Sequence, residues 1–469
     1  MEMKWNSESG ARWLLAGILV LAAAVRVVAA RGDLWLDEIW AMYLAADVKS
    51  VWDIFTRLQQ DTNQHLCTLY FYLVGEVPHP LLYRLPSLAA GVAGIALARR
   101  VVIGRRGGET LTWAWLMALS FPMILYSSEA RGYALAVFFA LAAFAVFRAG
   151  GPAPAFWLSV VLGFLSHLTF AQVYLALLAG SLARPLLRRE PLARGLAATV
   201  RWHAVPLLFL AGFYAVGLRH FTFGKGPLTE VQWSVFDALT QACGLPPRGL
   251  AAVAGGAAAI VLAGIGIAKL FEERDDAWFF LLCVALFAPA LLRLVRPSPY
   301  AVARHFVVCV PFLYLLLAWI LARAWGWGWG GKALGVVVMA GFTLGSAVRT
   351  GHLLAEGRGQ YRQAVLFMAE QTAGEAVGVG TDHDFRNKML LHYYGRYVVP
   401  LGKKIVYYDQ GSWPAGGPEW LIAHSLDPAC EPLPVLVHKT GALYRLQRSY
   451  PCRGPSGWSW FVYRKAAAR

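Results

Sequence analysis

Charge is what this chain has least of. Only 15% of its 469 residues are Asp, Glu, Lys or Arg, while 58% are hydrophobic. A water-soluble protein carries about a quarter of its residues charged, so a chain solvated over its whole length is excluded. Acid is scarcer than base, 27 residues against 43, which leaves a net charge of +16. That excess does not point to nucleic acid. The basic residues mostly sit in short loops between apolar runs, as membrane topology and anionic lipid require. Cysteine is sparse too, with six in the chain. No spacing among them resembles a zinc framework. No internal repeat of the kind that builds many transporters is present.

What is present is a succession of apolar runs, each long enough to span a bilayer. Together with a mean hydropathy of +0.49, they mark a polytopic α-helical membrane protein. The first run, Trp13 to Ala30, follows Lys4 and Arg12. It lacks a small-residue cleavage site and is interrupted by Arg26, so it reads as a retained first helix with the amino terminus in the cytoplasm. A first outer loop, 31–82, follows. In it VWDIFTRLQQ and HLCTLYFYLVGEV read as amphipathic helices lying in the outer interface. Helix two ends at Arg99, Arg100, Arg105 and Arg106, the strongest inside marker. Helix three, near Leu111 to Ser127, returns outward, and helix four ends at Arg148.

The block Ala155 to Leu187 is read as two short spans with His167 and Gln172 at an outer turn. Arg184, Arg188, Arg189, Arg194 and Arg201 mark the inside again. Helix seven is placed near Trp202 to Leu218, and TEVQWSVFDALTQACG suggests a surface helix in the next outer loop. FEERDD is an inner loop, RPSPYAVAR an outer one, and helix ten starts at His305. Helix eleven ends near Val348. About eleven crossings put the carboxyl terminus outside.

The tail then changes composition. AVGVG, KKIVYY, WLIAH and LPVLVH read as strands, so residues 351–469 are expected to form a small α/β domain outside the membrane, after a transmembrane domain of residues 1–350. Cys430 and Cys452 share that domain, and an oxidising compartment makes a disulfide between them an expectation. Cys283 and Cys309 fall within spans, and Cys67 and Cys243 show no sign of pairing.

One stretch stands apart from the hydrocarbon pattern. RGDLWLDEIWAMY, Arg31 to Tyr43, sets Asp33, Asp37 and Glu38 among Trp, Leu and Ile. Carboxylates kept beside a bilayer are functional candidates, and the Trp rings suit the headgroup level. This stretch, then LLYRLPSLAAGVAGIAL, a basic turn, ILYSSEARGYALAVFFAL and VARHFVVCVPFLYLLLAWIL, in that order, resembles the bacterial type-C (GT-C) glycosyltransferases. These include the dolichyl-phosphate-mannose–protein mannosyltransferase-like proteins and the lipid A aminoarabinose transferases. The resemblance covers Trp13 to Ala324, and the tail only loosely.

The resemblance implies an extracytoplasmic active site under the first outer loop and a sugar donor carried on a polyprenyl phosphate. It implies that Asp37 acts as base or binds substrate, with Glu38 beside it. Its Glu-Ala-Arg-x-Tyr element maps onto Glu129, Arg131 and Tyr133, and its late Arg-Tyr onto Arg304 and His305, with His in place of Tyr. The family's His-Pro-Pro-Leu-Tyr run is replaced by Gln64-His65-Leu66-Cys67-Thr68-Leu69-Tyr70, without prolines.

The chemistry needs a base for the acceptor's proton and positive charge for the leaving phosphate. Carboxylates serve as bases in sugar chemistry, and Asp37 can do so if its surroundings raise its pKa. Arginine's planar fork suits phosphate. Arg84, Arg131, Arg293, Arg296 and Arg304 stand at the outer ends of spans, with snorkelling helix ends as the competing explanation. Glu129 can instead pair with Arg131, His65 and His167 can be structural, and Tyr133 can be an interface anchor. No spacing demands a cofactor. A divalent metal is left open, with Asp37, Glu38 and His65 able to contribute ligands. A lipid-linked sugar flippase and an O-antigen ligase or polymerase are the competing functions. Charge gathered at one outer face disfavours the first, and the acidic loop near the amino terminus disfavours the second.

Overall fold

The computed structural model describes residues 7–77, 79–104, 107–222, 230–295, 302–427, 429–438 and 441–466. Arg105, Arg106 and the loop 296–301 with Arg296 lie outside the described residues, as does the side chain of Arg293. The chain divides into two compact units. One comprises Met1–Val28, Ala45–Glu76 and Leu82–Thr350; the other comprises Ala29–Leu44, Val77–Leu81 and Gly351–Arg469.

The helices up to the first basic turn are α1 (Ser7–Ala29), α2 (Leu36–Ala46), α3 (Asp53–Thr56), α4 (His65–Val74), α5 (Leu81–Ala96) and α6 (Ala98–Val101). Next come α7 (Gly107–Leu119), α8 (Phe121–Ser127), α9 (Tyr133–Ala149), α10 (Ala153–Ser166), α11 (Ala171–Arg188) and α12 (Leu192–Val216). The larger unit closes with α13 (Val231–Ala242), α14 (Leu250–Glu272), α15 (Ala277–Val295), α16 (Val310–Ala324) and α17 (Trp329–Glu356). Among the described residues six helical stretches are long and apolar enough to cross a membrane, or seven if the bent pair α7–α8 is one span. Shorter apolar helices include α5, α9, α10 and α15.

Several boundaries differ from the sequence reading. VWDIFTRLQQ supplies only the single turn α3, since Asp53 accepts from the Lys49 and Ser50 amides and closes a tight local turn there. Helix three is not continuous: α7 and α8 meet at Ser120 with a bend of 59°. Pro122 has no N–H for the carbonyl of Ala118, four residues back. Arg26 of α1 supplies the missing donors, from Nη1 to Ala118 O at 2.9 Å and from Nη2 to Met117 O at 2.9 Å. Its Nε reaches Ser127 Oγ at 3.0 Å, so one guanidinium spans both halves of the break. The arginine that interrupts the first apolar run is therefore buried against the carbonyl end of a half-helix, where a cation is favoured. Helix ten begins as a 3-10 segment, Ala303–Cys309, because Pro311 lies at the start of α16. Helix eleven runs on to Glu356.

α16 is the axis of this unit's core: Tyr314, Leu315, Ala318 and Trp319 are all fully buried. The Tyr314 hydroxyl lies 2.7 Å from Ser120 Oγ and 2.6 Å from the Ala242 carbonyl, tying α16 to the break and to α13.

The second unit is built on a six-stranded sheet. Its strands are β1 (Ala376–Thr381), β2 (Lys404–Tyr407), β3 (Trp420–Ser425), β4 (Val435–Val437), β5 (Leu443–Tyr450) and β6 (Ser459–Lys465), in the order β2-β1-β3-β6-β5-β4. β1 is parallel to β2 and β3, and the remaining pairs are antiparallel. Helix α18 (Tyr361–Gln371) precedes β1, and α19 (Asp384–Gly395) carries the chain from β1 to β2, the crossover a parallel pair requires. The four strand-like runs of the tail form β1 to β4, and LYRLQRSY and SWFVYRK add β5 and β6. Cys430 and Cys452 are not paired. Cys452 is buried beyond β5, where its amide donates to Ser459 Oγ, while Cys430 lies exposed in the loop between β3 and β4. Burial pushes the Cys452 thiol up to about 11.

Candidate active site

The acid stretch belongs to the second unit. Trp35 is the residue before α2, so Asp37 and Glu38 occupy the second and third positions of that helix. Two carboxylates there are favoured by the free amides and dipole of the helix start. Glu38 is fully buried, and its Oε2 accepts from the Trp35 amide at 3.2 Å. This is the return half of a capping box. Asp37 is half-buried. Adjacent acids in one sequence thus meet different fates: one closes the helix start, the other stands at its rim.

Residues more than three hundred positions away in the chain hold this segment. Asp33 Oδ2 accepts from the Arg362 amide at 2.9 Å, capping the start of α18. The Tyr394 hydroxyl of α19 donates to Leu34 O at 2.8 Å. Buried Arg358 donates to Ala29 O at 3.1 Å. Gly32 faces Gly357 so closely that a Cβ on it would come within 3.3 Å of the Gly357 Cα. Further along α2, Trp40 packs edge-on against Phe385 at 5.4 Å, and the Tyr43 hydroxyl lies 3.2 Å from His392 Nδ1. Sequence reasoning missed Tyr394, Arg358 and Arg362. Their one local signal, the irregular Gly357-Arg358-Gly359 break after a long helix, does not say what it contacts.

The second group of candidates lies in the larger unit around the turn from Ser128 to Gly132, between α8 and α9. Glu129, Arg131 and Tyr133 are buried there, and so is Arg84 in α5. Ser87, one turn along α5 from Arg84, donates to Arg131 O at 2.8 Å. The Gly132 amide donates to Gln64 Oε1, which brings the start of α4 to the same turn. Gly132 has no substitute: a Cβ would come within 1.9 Å of Ser166 O. Tyr133 stacks on His167 at 4.2 Å between ring centres, and the Arg131 guanidinium lies 5.8 Å from the Tyr133 ring centre.

His65 follows Gln64 into α4 and is enclosed by Phe55, Phe213 and Phe221. Burial pushes its pKa down to about 4, so it is neutral at ordinary pH. Arg304, half-buried, sits in the 3-10 segment before α16. That segment packs on α8 and α9, and Gln172 donates to its His305 carbonyl at 2.9 Å. The elements bearing Arg84, Arg131, Glu129, Tyr133, His65 and Arg304 are therefore neighbours. Gln64, Ser87 and Gly132 are the residues the sequence reading did not assign. Among the described residues no group of three or more His, Cys, Asp or Glu side chains is placed to hold a metal ion.

No protein-family model and no curated protein matches the chain. Solved structures do. ArnT from Cupriavidus metallidurans in the apo state is 14% identical, with 97% of this chain and 98% of that one covered at a TM-score of 0.55. The same protein bound to undecaprenyl phosphate gives 14% identity over 97% and 98%, with a TM-score of 0.51. The Archaeoglobus fulgidus oligosaccharyltransferase in the apo form is 12% identical and gives a TM-score of 0.51, over 86% of this chain and 65% of that one. ArnT is a lipid A aminoarabinose transferase, and both neighbours are type-C enzymes. This chain shares their type-C glycosyltransferase fold.

Proposed function

We propose that the protein is a membrane glycosyltransferase that moves a sugar from a polyprenyl-phosphate donor to an extracytoplasmic acceptor. The observation that carries this reading is a fold likeness over nearly the whole of both chains to a structure holding undecaprenyl phosphate. Asp37 at the start of α2 and the buried arginines around the Ser128–Gly132 turn supply the residue types the reaction needs. In this reading the protein lies in a bacterial inner membrane with its amino terminus in the cytoplasm and its carboxyl-terminal domain outside. The crossings are the six long stretches, the bent pair, and α5, α9, α10 and α15.

In the proposed step Asp37 takes the proton from the acceptor hydroxyl or amine. The acceptor atom bonds to the sugar's anomeric carbon as the bond from that carbon to the phosphate oxygen breaks. The electron pair leaves with the polyprenyl phosphate. Arg131, with Arg84 and Arg304, offsets the charge that grows on that phosphate. Glu129 and Tyr133 orient Arg131, and His65 shapes the neutral wall of the donor site. Glu38 keeps the start of α2 in place.

The test is a transfer assay on purified protein with a polyprenyl-phosphate sugar, with donor binding measured separately. Asp37→Asn keeps the size of the side chain but cannot take the proton. It should bind donor normally while turnover falls by roughly 10²–10⁴-fold. Normal turnover in Asp37→Asn would overturn the assignment of the base. Transport of intact donor across vesicles, without transfer, would replace the enzyme by a flippase.

A further inference from the structure

The carbonyl of Leu34 and the amide of Trp35 belong to one peptide plane, and the two ends of that plane are held by different parts of the chain. The carbonyl end receives the Tyr394 hydroxyl at 2.8 Å. The amide end donates to Glu38 Oε2 at 3.2 Å. This plane sets the direction in which α2 begins, and Asp37 follows only two residues after Trp35. Leu34, Trp35, Glu38 and Tyr394 are all buried, so water does not readily replace either bond. One residue upstream, Asp33 accepts from the Arg362 amide at 2.9 Å. The next turn of α2 is braced by Trp40 on Phe385. Phe385 and Tyr394 lie on α19 and Arg362 on α18, the two helices that flank β1.

We infer that Tyr394 is a positioning residue of the transfer reaction: through the Leu34–Trp35 peptide it holds Asp37 in its working orientation. The inference rests on the function proposed above. A base must be held within a fraction of an ångström to be effective. A hydroxyl fixed on a packed helix does that better than a loop can do alone. Tyr394 touches neither donor nor acceptor in this scheme and acts only through Asp37.

Tyr394→Phe keeps the ring and its packing but removes the donor to Leu34 O. Turnover should fall roughly tenfold, the cost of a single buried hydrogen bond, while the donor KM stays unchanged. Amide exchange at residues 35–39 should quicken, while exchange in β1 and β6 stays at the wild-type rate. Adding Glu38→Gln, which weakens the other end of the same plane, should lower turnover by less than the product of the two single effects. The idea is overturned by unchanged exchange at 35–39, by wild-type turnover, or by full multiplicativity of the two substitutions. If Tyr394→Phe fails to fold, Asp33→Asn, which weakens the neighbouring hold, is read by the same exchange and turnover criteria. Normal turnover in Asp37→Asn would be a separate failure, of the reaction rather than of the hold on residues 35–39, which the exchange experiment decides alone.

Discussion

Two segments of this chain carry acid and base where hydrocarbon would be cheaper, and they are secured in opposite ways. The turn from Ser128 to Gly132 is enclosed by its own unit: Ser87 and Gln64 bond its backbone, and Ser166 presses on Gly132. The acid segment from Asp33 to Trp40 takes its restraints from Arg362, Tyr394 and Phe385, at the far end of the chain. The first segment is held by the packing around it, whereas the second is held only while the sheet unit to which it belongs is folded. Substitution should therefore damage the two in different currencies, stability in one case and turnover in the other.

The largest effect is expected at Gly132. Gly132→Ala would drive a methyl group to within 1.9 Å of a backbone oxygen. Overpacking of that kind costs about 1–3 kcal/mol or more. The thermal unfolding midpoint of the detergent-solubilised protein should drop by several degrees. An unchanged midpoint would show that this turn can yield and would erase the contrast.

Arginine 131 sharpens the comparison at the level of binding. Arg131→Ala should weaken donor affinity, and Arg131→Lys should recover only part of it, because lysine lacks the fork that grips two phosphate oxygens. Equal affinity in wild type and Arg131→Ala, measured by titration with undecaprenyl phosphate, would move that task to another arginine.

Glu38 is expected to behave as a brace. Glu38→Gln retains an oxygen able to accept from the Trp35 amide and loses only the charge. Its turnover should fall less than that of Asp37→Asn. A dead Glu38→Gln beside an active Asp37→Asn would exchange the two roles.

A smaller effect is set by pH. His65 is held at about 4 in the folded protein, below its ordinary value near 6.5. The unfolded chain therefore binds a proton in this window that the folded one refuses. The stability due to this group is complete above about pH 6.5 and is lost as pH falls toward 4. Melting curves at pH 7.5 and 5 should differ less for His65→Gln than for wild type. Equal differences would place His65 in a wetter setting than its three phenylalanines provide.

The smallest effect belongs to the tail cysteines. Reduction should leave the melting curve unchanged, and Cys430 should alkylate readily in the native protein while Cys452 does not. A disulfide-linked peptide containing both would reverse that expectation.

Much of this contrast was legible in the amino-acid sequence, but not all of it. Apolar runs revealed the long apolar helices, because burying a polar backbone in lipid leaves the chain few choices. Alternation revealed β1 to β4, whereas β5 carries Arg445, Gln447 and Arg448 on exposed positions and does not stand out as apolar. The acid pair and the Glu129-Ala130-Arg131-Gly132-Tyr133 element were visible as chemistry out of place. The hold of Tyr394 on Leu34 was not visible, since a hydrogen bond across 360 residues leaves no local pattern. The break at Ser120 was half visible: Pro122 was in plain sight, but the arginine that compensates for it lies about a hundred residues earlier.

That last feature bears on how the protein is made. When α1 leaves the ribosome, Arg26 is a charge within an apolar segment, and inserting it costs about 2.5–3.5 kcal/mol at mid-bilayer and less near the end of a helix. Its carbonyl partners, at Met117 and Ala118, are synthesised some ninety residues later. Until then Arg26 lacks these partners, and its final seat exists only once α7 and the bend before α8 have been made. Stable membrane integration of α1 is therefore expected to wait for α7 and α8. Nascent chains halted before Met117 should be extracted by alkali or degraded more readily than chains halted after Gly132, and Arg26→Leu should abolish the difference.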